Sequence, residues 1–209
     1  MRVYHFLNRE YGLDNLRKRR LKIARIHELN DPFEFIGAEL STRDRRKALK
    51  ATKEEIGKKR GIICFSKNWK NPLMWGHYAQ KHQGICLGFD VHDNMVKSVE
   101  YVDSRLPWPD SIDEEFMGKM ICTKFSHWQY EEECRAYFAL QEHENNLYFK
   151  YFSNELLLKE VIVGCNSIIT RDEIANAISG IEGEIDIFKA REAFRSFNIV
   201  KNEKQSLWK

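Results

Sequence analysis

Glu131, Glu133, Arg135 and Tyr137 stand at alternate positions in the stretch Trp128 to Leu140. Read with a period of two, they share one face of a strand, while Tyr130, Cys134, Ala136, Phe138 and Leu140 share the other, with Glu132 as its one charge. Two carboxylates two residues apart place their Cα atoms roughly 7 Å apart on one face. Such like charges repel unless a cation, a proton or a ligand separates their roles. The plain expectation is that Arg135 neutralises Glu133 on a solvated sheet face. The functional one is that a ligand or a proton gives the two acids separate roles.

Other residues offer competing chemistry. Asp31 with Glu131 and Glu133, and a basic N-terminal region, could form a metal-dependent nuclease. That reading lacks the lysine that usually follows the acidic pair, and Arg135 cannot replace it as a base. His77, His82 and Cys86 have spacing open to zinc, without a paired C-x-x-C. Asn30-Asp31-Pro32-Phe33-Glu34 reads as a helix start, with Asp31 as N-cap, Pro32 at N1 and Glu34 at N3, a local role that explains these residues without catalysis.

The elements that must position these groups follow from periodicity and turn signals. Strands are expected at 3–6, 21–26, 61–66, 84–91, 96–102, 128–140, 160–164, 184–189 and 196–200, and helices at 12–20, 41–59, 73–81, 114–121 and 171–179. Residues 147–152 fit either class. The outline is an α+β single domain over 1–209, with a polar helical insertion at 41–60 and a loop and helix insertion at 103–120.

Composition bounds the class. The 209 residues are 43% hydrophobic, 12% aromatic and 31% charged, enough for a substantial core under a well-solvated surface. No apolar run is long enough for a membrane span, and MRVYHFLNREYG lacks the apolar core of a signal peptide. Five scattered cysteines without a C-x-x-C pair suit a reducing cytoplasm. The net charge of +3 is small but unevenly spread: residues 1–60 carry 17 basic and 9 acidic side chains. That half could attract phosphates. No aromatic residues interleave its basic clusters, so a single-strand stacking platform is not expected.

The motifs Asn30-Asp31-Pro32-Phe33-Glu34, Cys64-Phe65-Ser66, Met74-Trp75-x-His77-Tyr78-Ala79, Gly84-x-Cys86-x-Gly88-Phe89 and Trp128-x-Tyr130-Glu131-x-Glu133-x-Arg135 occur in this order. The set resembles a family of small bacterial domains of unknown function, many of them in mobile or defence-associated loci. The likeness runs on through Val161 to Gly164 and Asp186 to Ala190. More distantly, the order of elements is similar to the ADP-ribosyltransferase fold, with its split β-sheet core and helices between the early strands. That resemblance implies an NAD-dependent enzyme, a toxin or phage-defence effector, which breaks the nicotinamide–ribose bond and passes ADP-ribose to a macromolecule, nucleic acid ahead of protein. It implies Glu133 as the catalytic carboxylate and Glu131 as the group that positions or deprotonates the acceptor. His5, Ser66, Tyr78, Arg25 and Arg135 make up the expected NAD-binding set, with no metal. His5, Tyr78 and Glu133 should then converge on one cleft. An antitoxin or regulatory protein is a further expected partner, and a non-enzymatic binding module is the remaining alternative.

Overall fold

The computed structural model describes residues 1–141, 143–204, 206 and 208. Its strands are β1 (Arg2–Leu7), β2 (Arg20–Arg25), β3 (Arg60–Ser66), β4 (Ile85–Val91), β5 (Val96–Ser98), β6 (Glu100–Val102) and β7 (Thr123–Phe125). They continue as β8 (Glu133–Ala139), β9 (His143–Glu144), β10 (Leu147–Tyr151), β11 (Leu156–Val163), β12 (Asp186–Glu192) and β13 (Ile199–Lys201). The α-helices are α1 (Arg9–Lys18), α2 (Arg43–Lys59), α3 (Pro72–Tyr78), α4 (Glu114–Ile121) and α5 (Arg171–Ile178). The class is mixed α and β with mostly antiparallel pairing. The chain divides into two compact units, each assembled from separated segments.

The first unit comprises residues 1–21, 65–95 and 150–209. Here β4 pairs antiparallel with β1 on one side and with β11 on the other. Strand β12 runs parallel to β11, and β13 closes the order antiparallel to β12. Six of the seven residues of β4 are buried, which explains why its sequence is an apolar run and not an alternation. Helix α1 starts at an Asn8 cap that accepts from the Tyr11 amide and ends at left-handed Arg19. It is therefore set back toward the N-terminus from the expected 12–20, because Asn8 is a better cap than anything nearer Gly12. Gly84 and Gly164 permit close backbone crossings: a Cβ would lie 2.0 Å from the Leu7 carbonyl oxygen at the first and 2.2 Å from that of His82 at the second.

The second unit comprises residues 22–64 and 96–149. Its β3 pairs antiparallel with β2 and is joined by β8, which pairs antiparallel with β5. Strands β6 and β7 form a small parallel pair. Apolar clusters hold this unit: Leu49 of α2 packs with Ala38, Met117 and Met120, and Phe35 packs with Ile26 and Ile62. Helix α2 begins at a Thr42 cap and buries Leu49, so the long polar helix expected at 41–59 is anchored along a narrow apolar line.

Two expectations change. The stretch 128–140 is not one strand: Ser126–Glu131 is a 3₁₀ turn, Glu132 takes a left-handed conformation with φ 44°, and the strand begins at Glu133. Asn30 to Glu34 is a turn and not a helix start, and Phe35 after it has φ 62°. In both places a local polar signal is overridden by side chains that the tertiary fold draws inward. Among the described residues, no helix is long and apolar enough to cross a membrane.

Candidate functional site

The second unit encloses a cluster of buried charges. Glu34, Glu131 and Glu133 are 3%, 3% and 5% exposed, and Arg135 is 0% exposed. Each arrives by a different local device. Asp31 accepts a hydrogen bond from the Phe33 amide at 2.9 Å, fixing a turn that sends Glu34 inward. The left-handed Glu132 ends the 3₁₀ turn and starts β8, so Glu131 and Glu133 approach one centre from two kinds of backbone. Strand alternation then sets Arg135 beside Glu133.

Two cations hold the three acids. Arg135 Nε donates to Glu133 Oε1 at 2.8 Å, and its Nη2 donates to Glu133 Oε2 at 3.0 Å and to Glu34 Oε1 at 2.7 Å. Its Nη1 donates to the Ile121 carbonyl, which also accepts from the Tyr137 hydroxyl at 3.2 Å. Lys124 Nζ donates to Glu131 Oε2 at 2.5 Å and Glu133 Oε2 at 3.2 Å, and lies 3.5 Å from Glu34 Oε1. It also sits 4.8 Å from the centre of the Trp128 ring. The Glu133 amide donates to the Tyr101 hydroxyl at 2.8 Å, which fixes the start of β8.

Burial pushes the Glu133 carboxyl up, but Arg135, then Lys124 and the Cys64 thiol, outweigh it and hold its pKa below the usual carboxylate value. Burial pulls the Lys124 ammonium down, but Glu133, Glu131 and Glu34 reverse this and raise it. The Tyr101 phenol is pushed up to about 12, mainly by burial. Three carboxylates against two cations leave a formal charge of −1, with both cations and Glu133 held ionised. Glu34 Oε2 is buried and has no hydrogen-bond partner among the described residues.

A cavity of about 250 Å³ adjoins the cluster, with Glu34 and Lys124 in its wall beside Asp31, Phe33, Phe125 and Arg105. The Arg105 guanidinium lies 5.4 Å from the centre of the Phe33 ring. The chamber thus joins a negative, hydrogen-accepting side to aromatic surface. Such a site suits a flat, partly polar group that carries or develops positive charge.

The expected residues are distributed as follows. Glu131, Glu133 and Arg135 are brought together, but Glu131 comes from the 3₁₀ turn and only Glu133 and Arg135 share a strand face, and the group is buried, not a solvated ion-pair row. Arg135, expected in the NAD-binding set, donates to Glu133, Glu34 and the Ile121 carbonyl and so holds the carboxylates in place. Arg25 belongs to the same unit but pairs with Glu28, through Nε at 3.0 Å and Nη2 at 2.9 Å. His5, Ser66 and Tyr78 belong to the first unit. There the His5 ring meets Phe65 edge-on at 5.8 Å. The Ser66 hydroxyl donates to the Asn68 carbonyl at 3.0 Å and accepts from its amide at 3.1 Å, a local turn role. Among the described residues, no group of three or more His, Cys, Asp or Glu is placed to hold a metal ion.

Sequence reading gives Glu34 only a helix-capping role and passes over Lys124. The Asn30 to Glu34 motif is a signal for the first, although helix capping accounts for it locally. Lys124 lies in an unremarkable polar stretch and carries no signal of its own.

Residues 74–136 match the family model described as protein of unknown function (DUF2971). Over this stretch the chain resembles that family. The expected likeness to an uncharacterised domain family is thereby borne out over residues 74–136. Neither the curated proteins nor the solved structures yield a match.

Proposed function

We propose that the chain is an NAD-dependent ADP-ribosyltransferase-like enzyme of the cytoplasm, a toxin or defence effector that cleaves the nicotinamide–ribose bond and transfers ADP-ribose to a macromolecule, nucleic acid ahead of protein. The observation that carries this reading is the excess carboxylate of the buried cluster: three acids, two cations, and a cavity walled by Glu34, Lys124 and aromatic rings. Leaving of nicotinamide builds positive charge on the ribose, as in glycoside hydrolysis. A fixed negative charge in a site poor in water stabilises that charge without reorganisation.

Glu133, held ionised, suits this electrostatic role and not that of a proton donor. Glu131, bridged by Lys124, suits positioning of the acceptor. Glu34 joins the proposal as the acid with an unoccupied oxygen, able to accept from an amide or hydroxyl of the substrate. Five free thiols fit a reducing compartment.

The test is chromatographic detection of nicotinamide from the full chain incubated with NAD, with and without added nucleic acid or protein. Glu133→Gln and Glu34→Gln keep size and lose charge, and each should lower the rate on the order of 10²–10³-fold. Glu131→Gln should spare hydrolysis and reduce transfer. Unchanged nicotinamide release from folded Glu133→Gln would overturn the reading.

A further inference from the structure

A second, larger groove of about 600 Å³ lies in the second unit, along one side of α2. Its lining includes Arg25, His27, Lys50, Lys53, Lys58 and Tyr148, with Glu54 as the one acid among the described residues. Two of the cations are already engaged. Arg25 is paired with Glu28, and Lys53 Nζ donates to the Glu34 carbonyl at 2.7 Å. Lys50 and Lys58 are exposed, and the contact of Lys50 with Glu54 is a loose surface one at 3.9 Å.

The same side of α2 is basic well beyond the groove. At 3.6 residues per turn, Arg43, Lys47, Lys50 and Lys58 fall within an arc of about 80° that also holds Glu54, four cations to one acid, while buried Leu49 points away from it. All four are exposed. From Arg43 to Lys58 the stripe runs about 22 Å along the helix. A compact anion would need one convergent cluster. A line of cations of this length instead matches a chain of successive phosphates. Tyr148 adds what the linear sequence lacks. It comes from β10, far from the basic segment, and sets a half-buried aromatic ring against the groove. A positive track beside an aromatic ring is the arrangement by which single strands are held without sequence preference.

We propose that this face of α2 binds single-stranded nucleic acid, with phosphates along Arg43, Lys47, Lys50 and Lys58 and a base against Tyr148. The inference rests on the transferase reading only in making the bound strand the acceptor, because binding itself is measured without NAD.

The test is fluorescence anisotropy of a short labelled single-stranded oligonucleotide, RNA and DNA in separate arms, titrated with the full chain over a range of salt. The Lys50→Glu, Lys58→Glu double variant should weaken binding about tenfold or more and make the logarithmic salt slope shallower by about 1.4, two contacts at roughly 0.7 each for a single strand. Tyr148→Ala should weaken it about tenfold with the slope unchanged. Unaltered thermal melting of the variants shows that loss of binding is not loss of fold. Salt-insensitive binding, an unchanged double variant, a duplex bound as tightly as the single strand, or displacement by tripolyphosphate at equal charge concentration would each overturn the proposal. If the strand binds as expected while no nicotinamide is released, the groove stands and the transferase reading falls.

Discussion

Lys124 places one ammonium between two carboxylates that follow it in the chain, 2.5 Å from Glu131 Oε2 and 3.2 Å from Glu133 Oε2. Glu131 and Glu133 therefore do not face each other as bare like charges. The cation that reconciles them comes from β7, where no motif marks it. This contact sets what the cluster tolerates.

Replacing Lys124 by Met removes one of two cations from three buried acids. Breaking a buried ion pair from one side typically costs about 3–5 kcal/mol, because the remaining charge stays uncompensated. Chemical denaturation of Lys124→Met should show a loss of this size. A change under about 1 kcal/mol, the range of surface pairs, would mean that the cluster is open to water.

The pH dependence has a definite sign at each end. The Glu133 pKa is lowered in the folded state, so its contribution is in place above the unfolded value near ~4.3 and is lost as pH falls through the folded value. The Lys124 pKa is raised, so its contribution is complete below the unfolded value near ~10.4 and is lost as pH rises through the folded one. Denaturation midpoints measured against pH should show a plateau between these limits. Glu133→Gln should flatten the acid limb, and an acid limb that keeps its slope would contradict the assignment.

Tyr101→Phe deletes the hydroxyl that accepts from the Glu133 amide at 2.8 Å. An amide left buried without a partner costs about 1–3 kcal/mol. Amide exchange at Glu133 should accelerate accordingly. Since the phenol pKa is about 12, the loss should be the same at pH 6 and pH 9.

Gly164→Ala tests the first unit. Its Cβ would sit 2.2 Å from the His82 carbonyl oxygen and 3.1 Å from that of Gly84, both backbone atoms that cannot rotate away. The variant should lose several degrees of melting temperature or fail to accumulate as folded protein. Wild-type melting would show that the crossing of these segments has more room than the contact distances give it.

Much of the local structure is legible in the sequence. Helix α4 spans 114–121 as its pattern predicts, and β3 and β4 follow from unbroken apolar runs. Alternation from Glu133 to Tyr137 is enough to place Glu133, Arg135 and Tyr137 on one face, because side-chain direction in a strand repeats every two residues whatever the strand packs against. Where helix capping and turn formation use the same residues, as at Asp31 and Glu34, the sequence cannot choose between them, and the burial of Glu34 and Phe35 decides for the turn. The cluster itself is a tertiary fact. Arg135 and Glu34 are 101 positions apart in the chain yet hydrogen-bonded at 2.7 Å, and Lys124 enters from a three-residue strand with no periodic signal. The same holds for Tyr148, which reaches the basic groove from a distant strand. Periodicity records which way a side chain points relative to its neighbours in the chain, while charge partners are chosen by what the fold brings into the same low-dielectric space.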